Sequence, residues 1–320
     1  MSFDLVYQKI KEYQTIIIFG HKRPDGDCYG SQNGLKDIIK STFPMKSVFI
    51  VGEKVDNLSF IGQMDQIEDE VFNQALAIVV DTATRDRISD GRYKLCKELI
   101  KIDHHIVLDN YGDINVVEEL IPATCLLITK FLLSNKDLKI SLNGATALYT
   151  GTITDTQNFR YRGVNAETFQ LAGTLLNYGV DTEWIDQNLS VQSLRSLRLK
   201  SYVYRSFKVT KNGFAYAVIN RVIIKYYNVG YDEAASLVNL LANIKECPVW
   251  ALIIRYPKDI RVRIRSNGPN INKLAEKYDG GGHHKAAGAS LKSWSKIRPF
   301  VKDADALVKE YKESQDTFIK

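Results

Sequence analysis

Histidine is confined to three short clusters in this 320-residue chain. Of five in all, His21 opens HKRPDGD, His104 and His105 close IDHH, and His283 and His284 sit in DGGGHHKAAG. His21, Asp25 and Asp27 bring imidazole and carboxylate donors onto one turn shaped by Pro24 and Gly26. Such a donor set suits Mn2+, Zn2+ or Fe2+ better than Ca2+, and the lack of thiolate pairs argues against structural zinc. Asp81 in VVDTA, His104 in IDHH and Asp155 in TITDT extend the candidate metal ligands to six, drawn from four loops. That number is enough for two cations sharing one carboxylate. Two cations roughly 3.5–4 Å apart ionise a water between them and clamp the oxygens of an in-line phosphoryl displacement. No GxSxG elbow and no CxxxxxR loop is present, as expected of chemistry that needs no nucleophilic side chain. Taken singly, Asp81, Asp103 and Asp155 also read as helix caps or turn residues.

The third cluster reads differently. Gly280, Gly281 and Gly282 let the backbone approach a ligand and turn its N–H groups inward, and a helix expected to start near Lys285 would add positive potential. An anion is favoured there. Upstream, IRVRIRS (260–266) alternates apolar residues with arginine, so Val262 and Ile264 face a core while Arg261, Arg263 and Arg265 share the opposite face. Turned toward a substrate, those guanidinia bind phosphate bidentately; otherwise they are a solvated face.

The elements that must position these residues alternate. Thr15–Gly20, Ala77–Val80 and Leu99–Ile102 are short Ile/Val-rich runs that read as buried parallel strands, each ending at a residue capable of chemistry: His21, Asp81 and Asp103. Helical patterns cover Ser31–Ile39, Ala123–Leu133, Asn143–Ile153 and Ala166–Tyr178, the last closed by Gly179. The implied fold class is α/β: an N-terminal doubly wound parallel sheet with ligands at the carboxyl ends of its strands, then a smaller C-terminal α/β domain. The division expected is 1–187 for the metal-binding domain, 188–205 for a helical linker and 206–320 for the substrate-binding domain. In the last, Phe214–Ile219 and Val249–Ile254 read as strands and Asp232–Ile244 as a helix.

Charge divides at the same place. Residues 1–187 carry 19 Lys+Arg against 26 Asp+Glu, whereas residues 188–320 carry 24 against 11. An acidic half suits divalent cations and a basic half a polyanionic substrate. Cys28, Cys96, Cys125 and Cys247 are isolated, so reduced thiols are expected. No secretory pattern opens the sequence and no apolar run approaches the ~20 residues of a membrane span; a soluble, cytoplasmic protein is the expectation.

Together HKRPDGDCYGS, VVDTA, DHH, TDTQNFRY and GGGHHKAAG resemble the DHH/DHHA1 phosphoesterase superfamily, in order and over nearly the whole chain. Length and spacing are most similar to its nanoRNase/pAp phosphatase group. The resemblance implies a two-metal phosphoesterase acting on short oligoribonucleotides, on linear dinucleotides such as pApA, and on the 3′-phosphate of pAp, with two Mn2+ per chain. It assigns His21, Asp25 and Asp81 to one metal and Asp27, Asp81, His104 and Asp155 to the other. His105 would touch the scissile phosphate and Asp103 would orient it. Arg265, Ser266, Gly281, Gly282 and His283 would hold a phosphate or nucleotide, with the cleft between domains setting substrate length. Asp279 and Gln157 stand where this family commonly has glycine. Rival expectations are a cyclic-dinucleotide phosphodiesterase, a RecJ-like single-strand exonuclease and a non-catalytic nucleotide sensor. Assembly as a homodimer is left open.

Overall fold

The computed structural model describes residues 3–161 and 163–318. The chain divides into two compact units, Met1–Val191 and Gln192–Lys320. The first runs α1 (Phe3–Glu12), β1 (Thr15–Phe19), α2 (Gly26–Thr42), β2 (Ser47–Val51), β3 (Leu76–Val80), β4 (Glu98–Asp103), β5 (Ile114–Val117), α3 (Thr124–Ser134), α4 (Leu142–Asp155), α5 (Ala166–Leu176) and α6 (Thr182–Ser190). Its five strands are all parallel, in the order β2-β1-β3-β4-β5. Both faces of the sheet are covered, which is why TIIIF and LAIVV read as unbroken apolar runs. On one face Ile16, Ile18, Ile78, Val80, Ile100 and Ile102 pack against helices, including Leu35 and Ile38 of α2 and Leu126 and Ile128 of α3. On the other, Ile17, Phe19, Ala77 and Val79 meet Phe72 and Ile88, which come from short 3-10 turns and loops rather than long helices.

Close packing of α2 on α4 positions two acidic residues. A Cβ on Gly30 would lie 2.5 Å from the Ala147 carbonyl oxygen, and one on Gly34 would lie 2.3 Å from the Leu148 side chain. These glycines let the helices touch, and Asp27 near the start of α2 and Asp155 at the end of α4 lie at the same end of the pair. Gly30→Ala is a discriminating substitution. Helix propensity favours Ala by about 1 kcal/mol, whereas the backbone clash is expected to destabilise by about 1–3 kcal/mol. Equilibrium urea unfolding should show net destabilisation.

The second unit runs α7 (Leu194–Ser206), β6 (Lys208–Val209), β7 (Phe214–Ile219), α8 (Arg221–Tyr227), α9 (Tyr231–Ser236), β8 (Val249–Arg255), β9 (Ile260–Ser266), α10 (Asn272–Glu276), β10 (Gly281–Gly282), β11 (Ala286–Leu291) and α11 (Ile297–Phe318). The strand order is β10-β11-β9-β8-β7-β6, with β7 and β8 parallel and the other pairs antiparallel. Val262, Ile264, Ala287 and Ala289 face one core with Leu274, Phe300, Ala304 and Val308. On the opposite face Ala217, Trp250 and Leu252 pack with Leu199, Val203, Ile224 and Leu241. That second core takes its strand residues from β7 and β8, leaving Arg261 and Arg263 of β9 exposed.

Three local expectations change. The helix read over 188–205 is α7, and its Leu199 and Val203 are buried in the core of the second unit, so it is part of that unit. The helix read over Asp232–Ile244 ends at Ser236. A 3-10 turn over Leu237–Leu241 follows, burying Leu237, Val238 and Leu241 against the sheet before Asn243 turns the chain at φ 61°. No helix starts at Lys285. The glycine run forms β10 of a hairpin whose return strand is β11, with His283 and Ala286 bonded to each other across the turn, N to O at 2.8 and 3.3 Å. Small residues made this possible: a Cβ on Gly280 would lie 2.0 Å from the Gly288 carbonyl oxygen, an approach that only glycine permits.

Candidate metal centre and phosphate-binding surface

The carboxyl ends of three neighbouring strands bring the first two clusters together. His21 follows β1, Asp81 follows β3, and Asp103 ends β4 ahead of His104 and His105. Asp81 is in the left-handed region at φ 50°, a conformation aspartate tolerates, so the chain turns sharply as it leaves the sheet. Its two oxygens face different partners. Asp81 Oδ2 lies 3.5 Å from His21 Nε2, and Oδ1 lies 3.5 Å from His104 Nε2. His21 Nε2 is also 3.7 Å from Asp25 Oδ1, while His104 Nε2 is 3.4 Å from Asp155 Oδ2 and 3.9 Å from Asp27 Oδ2. All six residues read as ligands from sequence are therefore gathered into two groups that share Asp81.

Local hydrogen bonds fix each one. Asp25 caps α2, accepting from the amides of Asp27 and Cys28 at 3.1 Å. Asp27 is buried and accepts from the first amides of α3, Thr124 at 2.6 Å and Cys125 at 2.9 Å, where the helix end favours negative charge. The outward Nδ1 of His21 and of His104 lies 3.0 and 3.1 Å from the carbonyl oxygens of Lys22 and Ile121, which leaves each Nε2 directed at the carboxylates. After Asp155, residues Gln157, Asn158 and Phe159 all take positive φ and close α4 in a left-handed turn. Gln157, at φ 46°, and Asp279, at φ 50°, thus adopt the glycine-like backbone of the positions they occupy.

The electrostatics suit cations. Among the described residues no Lys or Arg pairs with Asp25, Asp27, Asp81 or Asp155; their ion-pair partners are histidines. Burial, then the charges of Asp81 and Asp155, raise the Asp27 carboxyl well above its usual range. Burial pushes Asp155 up to about 6, with His104 opposing and Asp81 adding to the rise. Burial disfavours the charged form of His21, yet hydrogen bonds to Asp25 and Asp81 outweigh it and raise its pKa. Buried carboxylates crowded to this extent, with oxygen and imidazole donors converging, fit divalent cations.

The His105 ring lies edge-on to that of His104, centroids 4.6 Å apart, and is 3.6 Å from Asp81 Oδ1, but its nearest carboxylate is a different one. Its Nδ1 lies 2.8 Å from Oδ1 of the fully buried Asp103, whose Oδ2 is 3.2 Å from the fully buried Lys101 Nζ. Lys101 also donates to the carbonyls of Ala83 and Asp109, each at 3.0 Å. Burial would raise the Asp103 carboxyl, but His105 and Lys101 together hold it below its usual value. His105 is in turn raised, first by its hydrogen bond to Asp103.

In the second unit, Arg265 is half-buried on β9, in register with Ala286 just past the hairpin turn, and its Nη1 donates to the Ile264 carbonyl at 2.9 Å. Ser266 faces the other way. It is buried and its hydroxyl donates to the Pro269 carbonyl at 2.7 Å while accepting from the Gly268 amide at 3.0 Å, so it holds the turn after β9. Gly281, Gly282 and His283 are exposed along the hairpin. A Cβ on Gly281 would meet nothing within 4 Å, leaving its backbone open.

Comparison with known proteins matches both units. The DHH family, N-terminal domain, covers residues 15–152, and the DHHA1 domain covers 214–310. A Bacillus subtilis protein named bifunctional oligoribonuclease and PAP phosphatase NrnA is 36% identical, over 97% of this chain and all of its own length. This chain belongs to the DHH family. A Streptococcus mutans protein named probable bifunctional oligoribonuclease and PAP phosphatase NrnA is 37% identical over 96% of the chain and 99% of its own length. The fold is shared with the crystal structure of an exopolyphosphatase-related protein from Bacteroides fragilis, at TM-score 0.84 and 24% identity over 96% of this chain and 97% of that one.

Two residues of this DHH chain escaped the sequence reading. Thr124 donates its hydroxyl to Asp81 Oδ1 at 3.1 Å, reinforcing the shared carboxylate from the start of α3. Cys28 Sγ accepts from the His21 amide at 3.3 Å and groups with His21 and Asp81. Burial pushes its thiol up to about 11, so it remains protonated and packs beside the cluster. Adjacency to Asp27 in sequence was the available signal for Cys28. Thr124 had none, since its contact spans the fold.

Proposed function

We propose that this protein hydrolyses short oligoribonucleotides, linear dinucleotides such as pApA and the 3′-phosphate of pAp, using two Mn2+ held by His21, Asp25, Asp27, Asp81, His104 and Asp155. The observation that carries the reading is Asp81, whose two oxygens face two separate histidine-carboxylate groups. The names borne by the Bacillus subtilis and Streptococcus mutans relatives support the substrate class. When bound, a cation pair supplies an ionised water and charge neutralisation at the phosphoryl group. The protein's own part is orientation. Asp103 fixes the ring of His105 so that Nε2 is free to donate to a phosphate oxygen, and the raised pKa of His105 favours the charged, donating form. Arg265, Gly281, Gly282 and His283 are proposed to hold the phosphate-bearing end. Ser266 is proposed to act through the turn it stabilises.

The test is a product profile on pAp, pApA, c-di-AMP and RNAs of 2 to 24 nucleotides, with Mn2+ and after chelation. Rapid Mn2+-dependent cleavage of pAp, pApA and the shortest RNAs is expected. Faster cleavage of the 24-mer or of c-di-AMP, or full activity after chelation, would overturn the reading.

A further inference from the structure

Donors of three kinds meet at one of the two proposed cation positions. One donor atom each from His21, Cys28 and Asp81 lie within 4.8 Å of one another, and all three residues are buried. The fold holds the sulfur in place. Cys28 is the third residue of α2, its amide 3.1 Å from the capping Asp25 Oδ1. A Cβ on Gly20 would lie 2.3 Å from Cys28 Sγ, so the bare backbone just after β1 makes room for the sulfur, which accepts from the His21 amide at 3.3 Å. The same thiol is a hydrogen-bond partner of the His21 ring. Other thiols are placed differently. Cys125 Sγ lies 3.3 Å from Ser31 Oγ and 3.5 Å from the Asp27 carbonyl, and among the described residues Cys96, Cys125 and Cys247 join no such donor group.

The spacing is that of a closed tetrahedron. With metal–nitrogen and metal–oxygen bonds near 2.0–2.1 Å and a metal–sulfur bond near 2.3 Å, its edges are roughly 3.3–3.6 Å. His21 Nε2 is 3.5 Å from Asp81 Oδ2 and 3.7 Å from Asp25 Oδ1. Cys28 Sγ, within 4.8 Å of its neighbours, is at most about 1 Å beyond such an edge. Whether the sulfur is used depends on the cation. Mn2+ takes oxygen and imidazole donors, and beside it a thiol stays a small neutral packing group. Thiolate selects thiophilic cations, which ionise a coordinating thiol outright, its proton passing to solvent. A catalytic site keeps one position open for water, whereas four protein donors close it.

We propose that Cys28 is a latent fourth ligand that closes the His21, Asp25 and Asp81 position around a thiophilic divalent cation such as Zn2+ or Cd2+, leaving no corner for water. The proposal rests on the cation assignment above and adds a donor that the assignment does not use. The same pocket then has two outcomes. Mn2+ leaves it open and competent for hydrolysis, while a thiophilic cation fills it and stops turnover.

The experiment titrates the full metal-free chain with Cd2+ and with Mn2+, wild type beside Cys28→Ala, Cys28→Ser and Cys96→Ala. A cadmium–thiolate bond absorbs in the ultraviolet, so binding is read without any activity. Wild type and Cys96→Ala should develop the band as the site fills. Both Cys28 variants should lose it and bind Cd2+ there roughly tenfold or more weakly, since even outer contacts to a ligand are worth that much, while Mn2+ affinity stays within about twofold. The serine keeps the size of the side chain without a thiolate, so it answers even if alanine disturbs packing. A wild type without the band, a band that persists in both Cys28 variants, or equal losses of Cd2+ and Mn2+ affinity would remove the ligand. On pAp with Mn2+, added Zn2+ should inhibit wild type more strongly than Cys28→Ser; equal inhibition would overturn the closure. If wild type hydrolyses no nucleotide, the phosphoesterase reading fails, and the cadmium band still decides the role of Cys28.

Discussion

Asp81→Asn should lower kcat on pAp by roughly 10⁴-fold or more, on the scale seen when one member of a catalytic unit is removed. Asparagine keeps the shape of the side chain and tolerates the left-handed backbone at this position, so the fold should survive. What changes is that one oxygen of the carboxylate becomes an amide nitrogen that carries no charge and cannot ligate. Since Oδ1 and Oδ2 face His104 and His21 separately, both proposed cation positions should weaken together. Calorimetric titration with Mn2+ reads this directly. Loss of tight binding at both positions is expected; loss at one, with the other intact, would show that Asp81 serves a single cation. Activity within tenfold of wild type would sink the two-metal assignment.

Asp103→Asn should cost both stability and turnover, for separable reasons. Lys101 and Asp103 are fully buried and 3.2 Å apart, and breaking such a pair leaves an uncompensated charge, at about 3–5 kcal/mol. Asp103 is also the acceptor that orients His105, and loss of such a positioning contact is expected to lower kcat by roughly 10- to 100-fold. The double variant Lys101→Met with Asp103→Leu separates the two effects. It removes both charges and should recover most of the stability in thermal unfolding, while kcat stays low. Recovery of activity along with stability would mean that His105 needs no positioning. Asp103's folded pKa lies below its ordinary 3.8. Its contribution is therefore complete above that value and is lost as pH falls through the depressed one, so neutral and mildly acidic assays leave it intact.

The convergence of histidines and carboxylates was legible because many of its residues are close in sequence. His21, Asp25 and Asp27 lie within one turn, and His104 and His105 are adjacent, so residue type and spacing alone proposed donors. The strands preceding them were equally plain, since strands buried on both faces must be continuously apolar. The Arg265 face of β9 followed from strict alternation, and the structure reproduces Ile260–Ser266 as a strand with exposed Arg261 and Arg263.

Other features depended on partners far away in the chain. The glycine run signalled close backbone approach but not what approaches; the Gly288 carbonyl decided a hairpin over a helix. Ser266 looked like a substrate contact beside Arg265, yet strand alternation turns it to the opposite face. Thr124 carries no local signature, because it meets Asp81 only after folding; Lys101 and Asp103 are two apart on β4, and it is folding that buries the pair.

By itself the sequence determined the α/β class, the candidate donors and the split of charge between the halves, all of which depend on residue type and short-range spacing. Tertiary structure decided how the two oxygens of Asp81 are shared, which of two adjacent histidines turns to Asp103, and that among the described residues Arg261 of β9 has a carboxylate partner while Arg263 and Arg265 have none. The sharing of Asp81 depends on contacts of 3.5 Å to His21 and His104, which lie on other strand ends, and strand order and helix packing set such distances, which no local pattern encodes.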